Sequence, residues 1–343
     1  MFAKLLSRFS RWNARNTDIS ILPILIVAVL IIMTLATGGR FLNGGNIRNL
    51  AVQLPELGLL SMAMMVVMIT AGINLAIISI ANFSAVIMAL ILTRLLPENA
   101  SQLTVIMLIL AAVAAGLAVS ALLGFINGIL VGYIEVPAVL ATLGTMILYE
   151  GITLAITKGF VISNLPKEFL VIGNASILGV PVPMYILVGM AVFLAILLKR
   201  RPFGIHLYAI GSNAEAARFS GINVRKVLVK AYVFSALLAG VAAVIMLARF
   251  NSANARQGSS LLLLTVLICM LGGVDPDGGF GKVPGLLLAL VILQMVTSGL
   301  NLLGIRSFAT VAIWGLLLLG ALTYRYWQHK RQTAAGKIRM KKE

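Results

Sequence analysis

LTVIMLILAAVAAGLAVSALLGFINGILVGYI, from Leu103 to Ile134, is the stretch that decides how this chain is read. It carries no charged side chain and exceeds the roughly 20 apolar residues that a helix needs to cross a bilayer. One upright helix does not use all of it, so the span tilts, protrudes or breaks near Gly124. Working outward, the same reading returns further apolar stretches at 19–37, 49–70 (interrupted by Pro55), 75–96, 137–157, 183–198, 227–249, 259–271, 283–303 and 308–326. The 259–271 stretch is short and runs into glycines. The expected fold is an all-α integral membrane protein of about ten transmembrane helices.

Composition excludes the soluble alternatives. Of 343 residues, 60% are hydrophobic and 11% charged, where a soluble domain carries about 25% charged residues. The single cysteine, Cys269, sits in an apolar run and cannot form an internal disulfide or a thiolate metal cage. The two histidines, His206 and His329, lie in basic stretches, and no His/Asp/Glu cluster has metal-ligand spacing. Neither a catalytic site nor a metal is expected.

The net charge of +17 would suggest nucleic acid in a soluble protein. Here the basic residues gather between spans, which is the pattern of cytoplasmic loops. With the N-terminus inside and ten spans threaded, the outside keeps only Arg40, Arg48, Arg94, Lys158, Lys167, Arg249, Arg256 and Arg306 of the 27 Lys and Arg residues. The rest fall at the N-terminus, in the central loop, at Lys282 and in the tail. Both termini are therefore expected inside, with a basic cytoplasmic segment 1–18, a transmembrane region 19–326 holding a cytoplasmic loop at about 199–226, and a basic tail 327–343. The N-terminus is basic, but the run after it is long enough to span and no cleavage site clearly follows. The polar stretches at 158–182 and 199–226 are too short to bury cores of their own. Any ATP hydrolysis that drives this protein therefore belongs to another chain.

Ionisable groups inside spans are functional candidates by default, and few occur. Glu56 follows Pro55, and its plainer reading is an interfacial carboxylate that reaches water. Glu150 reads equally as a buried pathway residue or as one facing an aqueous cavity. Such scarcity argues against proton coupling and against a charged solute, because no Arg or Lys within the membrane is expected to pair with one. A neutral polar solute suits the amides and hydroxyls present, which exchange hydrogen bonds with sugar hydroxyls. Candidate path residues are Asn74, Asn82, Asn127, Thr142, Glu150, Gln294 and Asn301. For any one of them, interhelical glue competes with ligand contact. Glycine is clustered at Gly272, Gly273, Gly278, Gly279, Gly281 and Gly285, which predicts a tight, broken turn at the cytoplasmic face. No Gly-Lys-Ser/Thr follows it, so it is not a phosphate loop.

Several stretches then carry a resemblance: ITAGINL (69–75) followed by Ser79; GFING (124–128) continuing to VPAVLATLG (136–144); Phe203-Gly204, YAIGSN (208–213), Ala216-Ala217 and SGI (220–222); and LGG (271–273) with Gly278, Gly279, Gly281 and Gly285. In this order the chain resembles the permease subunit of a bacterial ABC sugar importer. That is the branched group of ribose, xylose, galactose and furanosyl autoinducer permeases. The resemblance implies a type II-like permease in the bacterial inner membrane that binds no cofactor itself. ATP and Mg would be used by a cytoplasmic ATPase. A periplasmic solute-binding protein, a second permease copy or paralogue and membrane lipid would be its other partners, with no nucleic acid.

The resemblance also implies that Gly211, Asn213, Glu215, Ala216, Ala217 and Gly221 form a short helix seated in the ATPase. Ala216 and Ala217 favour a helix, and Gly221 can end one. One position departs. The family has Asp in a Gly-Ile-Asp-Leu-Ser-Val-Gly run, where this chain has Asn74 in Gly-Ile-Asn-Leu-Ala-Ile-Ile. If the Asp only capped a helix, Asn replaces it cheaply; if it held a cation partner, coupling or substrate would change. The rival readings are an ion-gradient-driven carrier of neutral solutes and a non-transporting membrane scaffold.

Overall fold

The computed structural model describes residues 21–97, 101–305, 309–316, 319–320 and 323. The basic segment 1–18, the tail 327–343 and part of the 308–326 stretch lie outside the described residues. Helix α1 (Ile21–Ala36) leads through a short 3-10 turn to α2 (Gly44–Met68), followed by α3 (Ile77–Arg94), α4 (Gln102–Gly132) and α5 (Ala138–Thr157). A polar crossing holds α6 (Lys167–Asn174) before α7 (Val182–Arg200). Two short helices, α8 (Pro202–Ser212) and α9 (Ala214–Phe219), precede α10 (Val224–Phe250), α11 (Leu261–Leu271) and α12 (Val283–Leu302).

Among the described residues seven helices, not ten, are long and apolar enough to cross a membrane: α2, α3, α4, α5, α7, α10 and α12. The difference has local causes. Helix α11 stops at Leu271, where Gly272 caps it and Gly273 turns the chain at φ 80°. Helix α1 is described only from Ile21, and the last stretch is described only in part. Of the three alternatives for the long span, the break near Gly124 does not occur. Helix α4 runs unbroken for 31 residues, about 46 Å at 1.5 Å per residue, so it outruns a hydrocarbon core of about 30 Å. Nor does Pro55 interrupt α2, which begins earlier than the sequence suggested and continues through the proline.

Burial sorts the helices. In their most apolar windows 78% of α2 and α10 is buried, against 22% of α4 and 28% of α5 and α7. Helix α2 is central and packs on α7, α10, α11 and α12. Helices α4, α5 and α7 instead turn outward residues such as Leu110, Leu140 and Val188, all more than half exposed. That is the face a bilayer covers.

Small residues set the closest approach, since apolar side chains gain nothing from leaving lipid for a helix interface. Gly124, Gly128 and Gly132 recur every fourth residue and so share one face of α4. A Cβ at these positions would lie 2.4 Å from the Ala236 Cβ, 2.7 Å from the Val229 Cα and 3.0 Å from the Arg225 carbonyl oxygen, all on α10. At the end of the bundle away from α8 and α9, β1 (Ile162–Ser163) pairs with β4 (Ser252–Ala253) and β2 (Ser176–Ile177) with β3 (Val180–Pro181). The Asn174 amide also donates to the Ala248 carbonyl there.

Replacing Gly128 by Leu is expected to force α4 off α10 and to cost about 1–3 kcal/mol. Thermal unfolding in detergent reads this as a fall of several degrees. Gly151→Leu, on α5 where a Cβ meets nothing within 4 Å, should not lower the midpoint.

Candidate functional site

Three of the family-like stretches meet at one place. At the end of α2 the Ile69 carbonyl accepts a hydrogen bond from the Gly279 N–H, at 2.8 Å. Gly211, at the end of α8, lies across that contact. A Cβ on Gly211 would stand less than 2.5 Å from both the Ile69 oxygen and the Gly279 nitrogen, so only glycine fits. Gly278 (φ 89°) and Gly279 (φ 78°) take left-handed conformations, and a Cβ on Gly278 would collide with the Ala71 nitrogen and the Gly211 Cα. The Tyr208 hydroxyl donates to the Gly281 carbonyl at 2.7 Å. Burial pushes that hydroxyl above its ordinary pKa, which keeps the donor protonated. Gly272 serves differently, in a close approach to the α12 backbone at Leu286, and Gly285 is buried within α12.

Helix α9 projects from this joint. The Asn213 side chain caps it, its Oδ1 accepting from the Ala216 N–H at 2.9 Å. Gly221, at φ 82°, closes it, with the Ile222 N–H bonded to the Ala217 carbonyl at 3.1 Å. Only Ala217 faces inward. Glu215, Ala216 and Arg218 are exposed, and Phe219 is 92% exposed. The loop expected at 199–226 is thus two helices, one built into the bundle and one presented to solvent. A cavity of about 410 Å3 lies at the root of α9, bounded by Thr70, Ala71, Pro137, Gly211, Asn213 and Tyr232. The Tyr232 hydroxyl is buried there without a hydrogen-bond partner.

The candidate path residues separate into groups. Asn74 accepts from the Ala76 N–H through Oδ1 and donates to the Ser235 hydroxyl, which in turn donates to the Ala63 carbonyl. It therefore braces the turn before α3 and, through Ser235, ties that turn to α10 and α2. Thr142 accepts from the Leu75 N–H and donates into the Ile73 and Ala138 carbonyls. Asn82 donates to the carbonyls of Ala255 and Gln257. Asn127 accepts from the Tyr149 hydroxyl at 3.0 Å, while its Nδ2 has no partner. Glu150 is partly exposed and pairs with Arg256 beyond the end of α10. Gln294 and Asn301 come together in a cleft of about 220 Å3 that also holds Gln53, Glu56, Thr297 and Trp314. There the Gln294 amide donates to Gln53 at 2.6 Å.

Glu56 corrects the sequence reading. It does not reach water: it is 7% exposed, and its Oε2 lies 2.7 Å from Nη1 of Arg249, in the last turn of α10. The contact is an ion pair without the geometry of a directed hydrogen bond. The Arg249 guanidinium also sits over the Phe250 ring, 4.5 Å from its centroid. A cation within the bundle does therefore pair with the buried carboxylate. Sequence reading missed it because Arg249 falls at the edge of its span, where it looks like loop charge. Among the described residues no group of three His, Cys, Asp or Glu side chains could hold a metal ion.

Residues 46–324 match the family described as branched-chain amino acid transport system / permease component. A ribose import permease protein of Bacillus subtilis is 35% identical over 88% of this chain and 90% of its own length. An L-arabinose transport system permease protein of Escherichia coli is 29% identical, covering 90% of this chain and 92% of its own length. An L-arabinose ABC transporter permease protein of Azospirillum brasilense is 28% identical, with 90% and 88% covered. No solved structure matches the chain.

Arg249→Ala leaves a buried carboxylate unpaired and should cost about 3–5 kcal/mol; Glu56→Gln with Arg249→Met should recover most of it, as read by thermal unfolding in detergent. Gly211→Ala should break the joint and lower transport sharply. Gly144→Ala, with open space around it, should leave transport intact and stabilise α5 by about 0.5–1 kcal/mol.

Proposed function

The chain belongs to the branched-chain amino acid transport system permease family, and from that premise we propose that it is the membrane subunit of an ATP-driven importer for a neutral sugar or sugar-like solute. The observation that carries this is the six-residue α9, capped at both ends, exposed except at Ala217 and adjoining the glycine contacts that hold the end of the central helix α2. Such an element suits a groove on an ATPase, where Phe219 would be the apolar anchor and Glu215 and Arg218 the polar rim. The names of the ribose and arabinose relatives support a pentose-like solute. So does the charge inventory, because the buried Glu56 and Arg249 answer each other.

The chain is a multi-pass protein of the inner membrane. Its full topology, on this proposal, is ten spans with both termini in the cytoplasm. The seven long helices, α1, α11 and a last helix beginning near residue 309 make up the number, and the basic end of the bundle at α8 and α9 faces the cytoplasm. A second permease copy or paralogue completes the path, two ATPase domains with ATP and Mg sit below it, and a solute-binding protein delivers from outside. ATP binding in those partners shifts the permease between outward and inward access by binding one state better than the other.

Capture from native membranes in mild detergent tests this. An ATPase subunit should co-purify with the native chain. It should be lost from the Glu215→Lys, Gly221→Arg double variant and from Phe219→Ser, both checked for folding by gel filtration. A folded native chain that brings down no ATPase would sink the proposal. Gradient-driven uptake would then be the next assay.

A further inference from the structure

Where α4, α7, α8 and α10 meet, the lipid-facing side of the bundle opens into a groove of about 520 Å3 lined by Phe125, Phe193, Leu197, Phe203, Phe234 and Lys230, with α10 aliphatic residues between them. Phe234 forms its floor. The Phe193 ring lies 6.1 Å from it and the Phe203 ring 6.3 Å, the latter edge-on. Phe125 and Phe193 are each almost half exposed. The walls are fixed, because Gly124 and Gly128 lock α4 onto α10 directly behind the groove.

Lys230 is the exception in this apolar surface. It is exposed and stands almost two turns inside α10, which begins at Val224. Among the described residues no carboxylate lies within ion-pair reach of it. The nearest cytoplasmic-side carboxylate in the sequence that is placed in an ion pair, Glu135, is taken by Arg225. Lys199, Arg200 and Arg201 fill the corner between groove residues Leu197 and Phe203, and all three are exposed. The apolar groove is thus lined by one cation without a carboxylate partner, and a basic run connects two of its wall residues.

We propose that the groove holds an acyl chain of an anionic phospholipid of the cytoplasmic leaflet, whose headgroup phosphate pairs with Lys230. In a bilayer any lipid tail fills an apolar groove; the unanswered charge is what selects the headgroup. An exposed lysine at the lipid-facing edge of a bundle snorkels its ammonium toward the headgroup layer, and here the phenylalanine wall lies beside that path. The site is separate from α9 and from both cavities described above. It rests on the proposed orientation only in naming the leaflet.

Native mass spectrometry of the detergent-purified chain, titrated with dioleoylphosphatidylglycerol or dioleoylphosphatidylcholine, tests the site. The native chain should bind the anionic lipid in preference to the zwitterionic one. Lys230→Ala should weaken phosphatidylglycerol about fivefold, the equivalent of about 1 kcal/mol for one lysine at an anionic leaflet, and leave phosphatidylcholine unchanged. Phe193→Trp, which fills the groove, should weaken both lipids. Arg218→Ala, on α9 and away from the groove, should change neither. The proposal is overturned if the native chain shows no headgroup preference, if Lys230→Ala keeps it, or if Arg218→Ala loses it equally. ATPase capture reads α9 and not Lys230, so the transport reading and the lipid site stand or fall independently.

Discussion

The hydrogen bond from Gly279 to the Ile69 carbonyl, with Gly211 laid across it, is the contact from which the α8–α9 end of this protein is organised. A helix ending in a membrane protein releases carbonyls that no lipid can satisfy. The end of α2 meets that requirement with a backbone donor from a turn far along the chain. Three segments then approach at backbone distance, which only residues without a Cβ allow. Because α2 also packs on α7, α10, α11 and α12, whatever holds the end of α2 also sets the register of the core.

Much of this was legible in the sequence, for identifiable reasons. The apolar runs mark α2 to α5, α7, α10 and α12, since length and hydropathy are properties of the chain itself. Ala216, Ala217 and Gly221 announce a short helix and its end, because propensity and termination are local chemistry; the Asn213 cap went unread. The glycine cluster at 272–285 signals a special turn. What the turn touches was not legible. Its partner residues lie in α2 and α8, and a single sequence carries no record of pairing. Glu56 failed for the same reason. Next to Pro55 it looks interfacial, and its burial depends on Arg249 arriving from α10. Periodicity could not help either, because spans apolar on nearly every face do not reveal which face is inward.

The polar residues of the spans divide by how completely they are used. Asn74, Asn82 and Thr142 commit their side chains to backbone or to Ser235, joining α2 to α10, α3 to the loop after α10, and α5 to the entry of α3. Groups held in this way stiffen the bundle. The cleft containing Gln53, Gln294 and Asn301 differs. There the Gln294 amide bonds to the Gln53 amide, and the Trp314 Nε1 has no partner. Amides paired with amides exchange partners at low cost, whereas a side chain bonded to backbone has to break secondary structure to move. Any part of the bundle that meets a polar solute is therefore better sought in such clefts than among the asparagines that fasten helices.

The same contrast bears on how a switch could work. Moving a two-state equilibrium from 1:99 to 99:1 takes about 5.5 kcal/mol of differential binding, and on the proposed reading that energy enters through α9. The joint behind α9 is close-packed glycine backbone braced by the Tyr208 hydroxyl on the Gly281 carbonyl, which leaves it little room to deform. The compliance has to lie next to it. The cavity at the root of α9 supplies that freedom: it is bounded by α9, the start of α5 and the end of α2, and it contains the unpartnered Tyr232 hydroxyl. The void therefore borders α9, the start of α5 and the end of α2, the three elements through which, on the proposed reading, a displacement of α9 would reach the centre of the bundle.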